Sequence, residues 1–270
     1  MNLQQSRSAN IEGFFEASSL IESIYHTGTL SDWLDTTHKT VIKKNNNKEV
    51  SLLNTNEDPN SETLLMKKEK QTKFNYTLFR WFKLNRSRAQ LKLLSLCKEH
   101  DIPLINQQAT FFIKKAKQWM FVSISDGKPS YRNLAVIARD DKQGFEALLK
   151  SNILEEIIKK ITAMHKAGIV HKDLKWSNLL IDTDNSFYFI DTDHISLPRT
   201  GKQKTLFIND FSRFIVGAYE AKTPEPIIEK LITKYAHSMT IDEITLQKPL
   251  SKRVKKLLRR KSIHSNLFNC

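Results

Sequence analysis

The feature that most constrains this chain is a pair of short apolar runs joined by turn-forming residues, with a polar side chain at each outer end. The runs are 179–181 and 187–190, and residues 182–186 between them favour a turn. The pattern predicts a β-hairpin. Because an antiparallel hairpin returns the chain to its starting end, we expect Asn178 and Asp191 to lie side by side. An amide oxygen and a carboxylate suit Mg²⁺, which takes its other ligands from water and substrate phosphates.

The loop before the hairpin, residues 171–178, has the sequence His-Lys-Asp-Leu-Lys-Trp-Ser-Asn. In phosphoryl-transfer sites with this spacing, one aspartate accepts the proton of the attacking hydroxyl, while an asparagine and a second aspartate hold the metal. Asp173, Asn178 and Asp191 match these three positions. Each of them alone is more often an ordinary turn residue. Their combination predicts a phosphoryl-transfer site, in which His171 braces the loop.

A helix is predicted immediately upstream of this loop. Apolar residues recur at helical spacing between Ile153 and Met164, and Gly168 suits the end of a helix before Ile169 and Val170. We therefore expect a buried helix that delivers the loop. The chain has 270 residues, 40% of them hydrophobic, which is enough for two packed lobes rather than two independent domains.

The loop and hairpin, together with a lysine-bearing strand at 64–68 and a turn at 101–103, resemble the protein-kinase-like superfamily. Within it, the chain is similar to the bacterial lipopolysaccharide core kinases, which phosphorylate Kdo or heptose sugars. The resemblance covers roughly residues 60–215. It implies ATP and Mg²⁺ as cofactors and a sugar hydroxyl of the lipopolysaccharide core as acceptor.

The resemblance also implies an α+β, two-lobed protein-kinase-like fold. The N-terminal lobe, residues 1–124, would be a small antiparallel β-sheet with one helix, clamping the nucleotide. The C-terminal lobe, residues 125–270, would be mainly helical, with the catalytic loop and a basic C-terminal helix.

The resemblance assigns a role to each of five residues. Asp173 would act as the base, and Lys175 would contact the transferring phosphoryl group. Lys67 would hold the non-transferred phosphates of ATP, while Asn178 and Asp191 would hold Mg²⁺.

The strand lysine has an alternative, Lys68. Consecutive strand side chains point to opposite faces, so only one of the two can serve the nucleotide. The family has a helix glutamate that pairs with this lysine, and here Gln90 stands in its place.

No glycine-rich phosphate loop is present, and the polar turn 44–48 is either its substitute or a plain hairpin turn. Asp-Thr-Asp at 191–193 replaces Asp-Phe-Gly. A non-catalytic pseudokinase or scaffold therefore stays open as an alternative.

Residues 208–214 are typical of a helix start that supports the catalytic loop, with Asp210 bonding the loop backbone. Between Asp191 and Asp210 there is room for a short connector, but hardly for an activation loop and a peptide-docking loop. This favours a sugar or other small hydroxyl acceptor over a protein. A kinase for another small molecule or for a protein remains an alternative.

The net charge of +14 and pI of about 9.6 exceed what a nucleotide site requires. One basic cluster, interleaved with aromatic residues, spans 67–88, and a second spans 252–261. Both suit an anionic membrane surface, although a solvated basic surface is about as plausible for each. No nucleic acid partner is expected, because no reader motif accompanies the charge. The expected partners are lipopolysaccharide core, or its lipid-linked precursor, and an anionic membrane surface.

The location is predicted from cysteine use and hydropathy. The two cysteines, Cys97 and Cys270, are too few for a disulfide framework, and no apolar run is long enough to span a bilayer. We expect a cytoplasmic chain and, from the resemblance, one peripheral to the cytoplasmic face of the bacterial inner membrane. The oligomeric state stays open.

Periodicity predicts the remaining elements. They are a helical extension at 11–36, strands at about 39–43, 49–54, 62–68, 109–114 and 118–124, a helix at 87–99, and an interlobe hinge at 125–129.

Overall fold

A computed structural model describes most of the chain. The described residues are 3–7, 11–16, 19–54, 63–72, 76, 89, 92–115, 117–128, 130–198 and 201–263. Contacts divide the chain into two compact units, Met1–Ser95 with Ile105–Ser130, and Leu96–Leu104 with Tyr131–Cys270.

The first unit contains an antiparallel sheet, which has seven strands within the described residues. The strands are β1 (Leu3–Arg7), β2 (Ile11–Glu16), β3 (Lys39–Lys44), β4 (Lys48–Asn54), β5 (Thr63–Gln71), β6 (Gln107–Lys115) and β7 (Gln118–Gly127). Their order across the sheet is β1-β2-β6-β7-β5-β4-β3. Because neighbouring side chains on a strand point to opposite faces, Leu64 and Met66 of β5 are fully buried while Leu65 and Lys67 are only partly covered.

Two short helices pack against this sheet: α1 (Leu20–His26) and α2 (Leu30–Thr36). Ser19 caps α1 by accepting a hydrogen bond from the backbone N–H of Glu22 at 3.1 Å. Ile21, Leu30 and Leu34 of the helices are fully buried in one cluster with Phe15 and Phe111 of the sheet. The core of the first unit is therefore built from one sheet face and these two helices.

Several predictions for the first unit are confirmed, and two are corrected. The five predicted strands are present. The helical extension at 11–36 is wrong over Ile11–Glu16, which pairs with β6, because burying Phe14 and Phe15 against the sheet outweighs their helical spacing. The predicted hinge is wrong over 125–127, since these residues are the end of β7 paired with β5; residue 129 lies outside the described residues.

The second unit is mainly helical. The boundary between the two units falls within a helix over residues 92–99, which we call α3. The other helices of the second unit are α4 (Leu134–Asp140), α5 (Lys142–Lys150), α6 (Ile153–Lys166), α7 (Gln203–Glu220), α8 (Glu225–Ser238) and α9 (Glu243–Arg259). A small antiparallel sheet has the order β10-β9-β8, with β8 (Arg132–Asn133), β9 (Leu179–Ile181) and β10 (Phe187–Phe189). The predicted two-part, sheet-and-helix architecture is thereby confirmed.

Helix α6 forms as predicted. Its apolar stripe, including Ile157, Ile158 and Ile161, is fully buried. Gly168 follows the helix at φ 77° and donates its N–H to the carbonyl of His165 at 2.9 Å. This left-handed position favours glycine and ends the helix shortly before the loop at 171–178.

The basic helix α9 packs against α7 and α8. Val254 and Leu258, two apolar residues within the basic cluster 252–261, are fully buried, so their side chains pack inside the protein. The cations of α9 remain at the surface. Among the residues that the structure describes, no helix combines the length and apolar character needed to cross a bilayer.

Candidate active site

The hairpin brings the two predicted metal ligands together. Strands β9 and β10 pair antiparallel, with Leu179 opposite Phe189. The N–H of Ile190 then donates to the carbonyl of Asn178 at 3.0 Å. Asn178 and Asp191 therefore lie on neighbouring stretches of backbone, as the sequence predicted.

Two residues around the site have left-handed backbone conformations. Lys172 has φ 67°, and Asp191 has φ 59° and ψ 48°. This region is unfavourable for residues with a side chain and is held only where the surroundings require it. Lys172 directly precedes Asp173, the predicted base, and Asp191 itself carries the carboxylate that is predicted to bind the metal.

The Asp173 carboxylate accepts hydrogen bonds from three side chains. Lys175 Nζ donates to Oδ2 at 2.7 Å, Asn178 Nδ2 donates to Oδ2 at 3.0 Å, and Arg213 Nη1 donates to Oδ1 at 2.8 Å. Burial opposes ionisation of this carboxyl, but the bonds from Lys175 and Asn178 and the charges of Lys175 and Arg213 outweigh it and lower the pKa of Asp173. The carboxylate is thus ionised and oriented at neutral pH.

Asn178 has a fixed orientation because its amide nitrogen is used twice. Besides the Asp173 carboxylate, Nδ2 donates to the backbone carbonyl of Asp173 at 2.8 Å. The side chain is buried, and its oxygen Oδ1 is the atom left for a ligand. Asp191 lies on the neighbouring stretch of backbone, and an amide oxygen with a carboxylate is a ligand pair of the kind that suits Mg²⁺, which retains water and phosphate oxygens. Within the described ranges, no three His, Cys, Asp or Glu side chains cluster as a metal site.

A buried polar contact ties this loop to α7. The backbone N–H of His171 donates to Oδ2 of Asp210 at 2.6 Å, and Asp210 is 1% exposed. His171 Nε2 lies 2.9 Å from the carbonyl of Ile190; because a carbonyl only accepts, Nε2 carries the proton. Burial lowers the pKa of His171 despite the nearby Asp210 charge, so the ring is neutral. His171 therefore links the start of the loop to the end of the hairpin.

The predicted contact of Asp210 with the loop is confirmed, but its place in the helix is not. Helix α7 begins at Gln203, so Asp210 lies within the helix rather than at its start. Oδ2 of Asp210 also faces Nε2 of His165 at 3.7 Å, and His165 Nδ1 is 2.8 Å from the hydroxyl of Tyr235. The acid is thus enclosed by α6 and α8.

Arg213 is the site residue that sequence reasoning missed. It lies three positions after Asp210 on α7, and residues at this spacing lie on the same side of a helix. Because Asp210 was expected to face the loop, a residue three positions later could have been predicted to face it too. Arg213 joins Lys175 and Asn178 in orienting Asp173.

The strand lysines lie in the first unit, whereas the other predicted site residues lie in the second. Lys68 shares its strand face with Leu64 and Met66. Its pKa is lowered by burial and then by nearby Lys39 and Lys115, and Lys115 bonds Asp35 of α2. Lys68 therefore points to the face covered by the helices, and Lys67 points to the opposite face.

Two further predictions concern the nucleotide. Gln90 lies outside the described residues. The turn at 44–48 is closed by Asn45, whose Oδ1 accepts the N–H groups of Asn47 at 3.1 Å and Lys48 at 2.7 Å. This is a self-contained polar turn, and its role as a phosphate lid stays a prediction.

Comparison with known proteins gives a family match over the same region. The family described as "Protein kinase domain" matches residues 65–211. A probable myosin light chain kinase of Dictyostelium discoideum is 25% identical over 175 residues, covering 64% of this chain and 52% of that protein. A serine/threonine-protein kinase of the same organism, fray2, is 29% identical over 109 residues, covering 40% of this chain and 10% of its own length.

A solved structure shares the fold. The Toxoplasma gondii specific rhoptry antigen kinase domain superposes with a TM-score of 0.50 at 11% identity, covering 82% of this chain and 80% of the other. At this identity, the likeness concerns the fold only. The matched segments span at most about half of the curated relatives' own lengths.

Proposed function

This chain belongs to the protein kinase domain family, whose members use ATP and Mg²⁺, and we propose that it transfers the γ-phosphoryl group of ATP to a hydroxyl deprotonated by Asp173. The oxygen of the acceptor forms a bond to the γ-phosphorus while the bond from phosphorus to the β,γ-bridging oxygen breaks. ADP leaves, and the acceptor proton passes to Oδ1 or Oδ2 of Asp173.

The observation that carries this proposal is the set of three side-chain hydrogen bonds to the Asp173 carboxylate. A general base must be ionised and held within reach of the proton it takes. Lys175, Asn178 and Arg213 supply three donors at 2.7–3.0 Å, and they lower the pKa of Asp173. An ordinary turn aspartate does not need three side-chain donors from two separate elements.

The other residues take supporting roles in the proposal. Asn178 Oδ1 and the Asp191 carboxylate would hold Mg²⁺, which when bound neutralises charge on the phosphates. Lys175, already 2.7 Å from the base, would contact the transferring phosphoryl group. Lys67 would bind the non-transferred phosphates, since Lys68 points to the helix-covered face of the first sheet.

The first acceptor to consider is a serine or threonine hydroxyl of a protein. The curated relatives are named as a serine/threonine-protein kinase and a myosin light chain kinase. These names support protein phosphorylation for a chain that shares their catalytic segment.

The second acceptor is a sugar hydroxyl of the lipopolysaccharide core. The observation that favours it is the short connection from Asp191 to α7, which begins at Gln203 and leaves little chain for docking a peptide. The cations of α9 would then assist contact with an anionic membrane at the cytoplasmic face of the inner membrane. Lipopolysaccharide core or its lipid-linked precursor would be the partner.

Both acceptors can be tested with the purified chain, Mg²⁺ and ATP labelled at the γ-phosphate. One arm contains a serine- and threonine-bearing peptide library, and the other contains lipopolysaccharide core sugars. Asp173→Asn should reduce transfer by at least about 100-fold. Asp184→Asn is the matched control, because Asp184 is an exposed hairpin residue whose Oδ1 accepts the N–H of Ser186 at 2.8 Å.

The outcome of each arm decides one question. Label on the peptides supports a protein acceptor, and label on the core supports a sugar acceptor. If the native chain neither binds ATP nor labels any acceptor, the proposal fails in favour of a non-catalytic scaffold. Equal loss in the two aspartate variants would remove Asp173 as the base.

A further inference from the structure

A cavity of about 610 Å³ lies in the second unit, between α4, α7 and α9 and beside the catalytic loop. This volume is typical of sites for small molecules or for one part of a larger ligand. Its apolar lining includes Ala138, Val216 and Leu257. Because the buried face of α9 fixes that helix against α7, much of the cavity wall is formed by packed helices.

The polar lining of the cavity is mostly cationic. Five cations contribute: Arg139, Lys175, Arg213, Lys222 and Lys261. Three carboxylates pair with members of this set: Asp140 with Arg139, Asp173 with Lys175 and Arg213, and Glu220 with Lys261. Five cations against three carboxylates leave a positive excess, which attracts an anion.

Because Asp173 pairs with two of the five cations, Lys222 is the member of this set with no carboxylate partner among the described residues. It follows α7 at φ 55°, and its N–H donates to the carbonyl of Tyr219 at 3.0 Å. Glycine is the usual residue at this left-handed position after a helix. A lysine is present there despite its unfavourable backbone conformation, and its side chain lines the cavity.

The cavity is connected to the catalytic base by two of its own residues. Lys175 and Arg213 line the cavity, and they also bond the two oxygens of Asp173. An anion held in the cavity would therefore lie next to the group that takes the acceptor proton. Glu220, the one acidic lining residue, is occupied by Lys261.

From these contacts we infer that the cavity is an acceptor subsite, which binds a phosphate or carboxylate group carried by the acceptor near its reacting hydroxyl. This inference rests on the proposed function. The anion would be held by Lys222 and by Lys261, which also pairs with Glu220, while Arg213 contacts both the cavity and the base. Helix α9 thereby becomes part of the substrate site rather than only a basic surface.

The test measures anion binding with the nucleotide position filled. A non-hydrolysable ATP analogue, adenylyl imidodiphosphate, is bound with Mg²⁺, and inorganic phosphate is then titrated by calorimetry; gluconate forms a second arm, so that phosphate and carboxylate are distinguished. The variant is Lys222→Ala/Lys261→Ala. The control is Lys166→Ala/Lys248→Ala, which removes the same charge from exposed positions outside the cavity.

We expect phosphate, gluconate or both to bind to the analogue-loaded native protein and at least tenfold more weakly to the cavity variant, while the control stays within twofold of native. The stronger of the two ligands identifies the anionic group. No binding by either ligand, or equal weakening in both double variants, would overturn the subsite while leaving the kinase proposal intact. Failure of the ATP analogue itself to bind would refute the kinase proposal and the subsite with it.

Discussion

Replacing Arg213 tests whether Asp173 is a positioned base or an ordinary surface carboxylate. Nη1 of Arg213 lies 2.8 Å from Oδ1 of Asp173, and the two side chains are 37% and 20% exposed. Arg213→Met removes the charge and keeps a long apolar stem on α7. Lys175 and Asn178 still bond Oδ2 in this variant, whereas Oδ1 loses the donor that holds it.

The size of the effect follows from the exposure of the pair. Solvent-accessible ion pairs contribute about 0.2–1 kcal/mol, and this partly covered pair belongs near the upper end. Loss of about 1 kcal/mol of positioning energy lowers kcat/KM by a factor of about 5. Burial opposes ionisation of Asp173, and one of the compensating positive charges is removed, so the pKa of this carboxyl rises. Because the base must be ionised, activity is then lost at a higher pH as the solution is acidified.

The assay is the pH dependence of kcat/KM on the acid side for native protein, Arg213→Met and Arg132→Met. Arg132 is a matched control, because it bonds Asp141 at 2.7 Å in the same unit and is 46% exposed. The acid limb should move to higher pH in Arg213→Met only. An unmoved limb, or an equal movement in Arg132→Met, would refute the reasoning.

Three further outcomes are expected. Gly217→Ala places a methyl group 2.5 Å from the Trp176 ring. Overpacking destabilises the fold by about 1–3 kcal/mol, whereas alanine in place of glycine stabilises the helix by about 1 kcal/mol. Urea denaturation should therefore show a free energy of unfolding that is about 0–2 kcal/mol lower. Asn178→Ala should raise the Mg²⁺ concentration for half-maximal transfer about tenfold or more. Lowering the pH below about 6.5 should reduce the free energy of unfolding, because burial lowers the pKa of His165 and of His171, and only the unfolded chain takes up those protons.

Each of these outcomes has a result that would contradict it. A net stabilisation by Gly217→Ala would mean that Trp176 does not rest against α7. An unchanged Mg²⁺ requirement in Asn178→Ala would remove the amide from the metal site. The acid destabilisation should shrink in His165→Gln and persist in His237→Gln, since His237 is exposed; the reverse pattern would assign it to surface groups.

The active loop and hairpin were predictable because their signals are local. Turn residues at 182–186 and apolar runs on both sides require a hairpin whatever the rest of the chain does. The hairpin in turn places Asn178 and Asp191 together. The helix α6 was equally predictable, because fully buried side chains at helical spacing and a glycine at its end are properties of one segment.

The strand at Ile11–Glu16 shows where local signals fail. Phe14 and Phe15 fit a helical spacing, but they are buried by pairing with β6, nearly a hundred residues later in the chain. A short stretch of sequence contains no information about a strand partner so far away in the chain. Likewise, the alternation along β5 permits either lysine to serve the nucleotide, and only the covering of one face by α1 and α2 separates Lys67 from Lys68.

Residue types and short spacings along the chain predict the chemistry of the site, with Asp173 as the base and with Asn178 and Asp191 as the metal ligands. The contacts that support this loop come from distant segments, and short spacings do not indicate them. Arg213 reaches Asp173 and Asp210 reaches the loop across forty and thirty-nine positions, and the cationic cavity is assembled from three helices. Side-chain type and local backbone preference depend on neighbouring residues and can be recognised from the sequence. Contacts between distant segments form only when the helices pack.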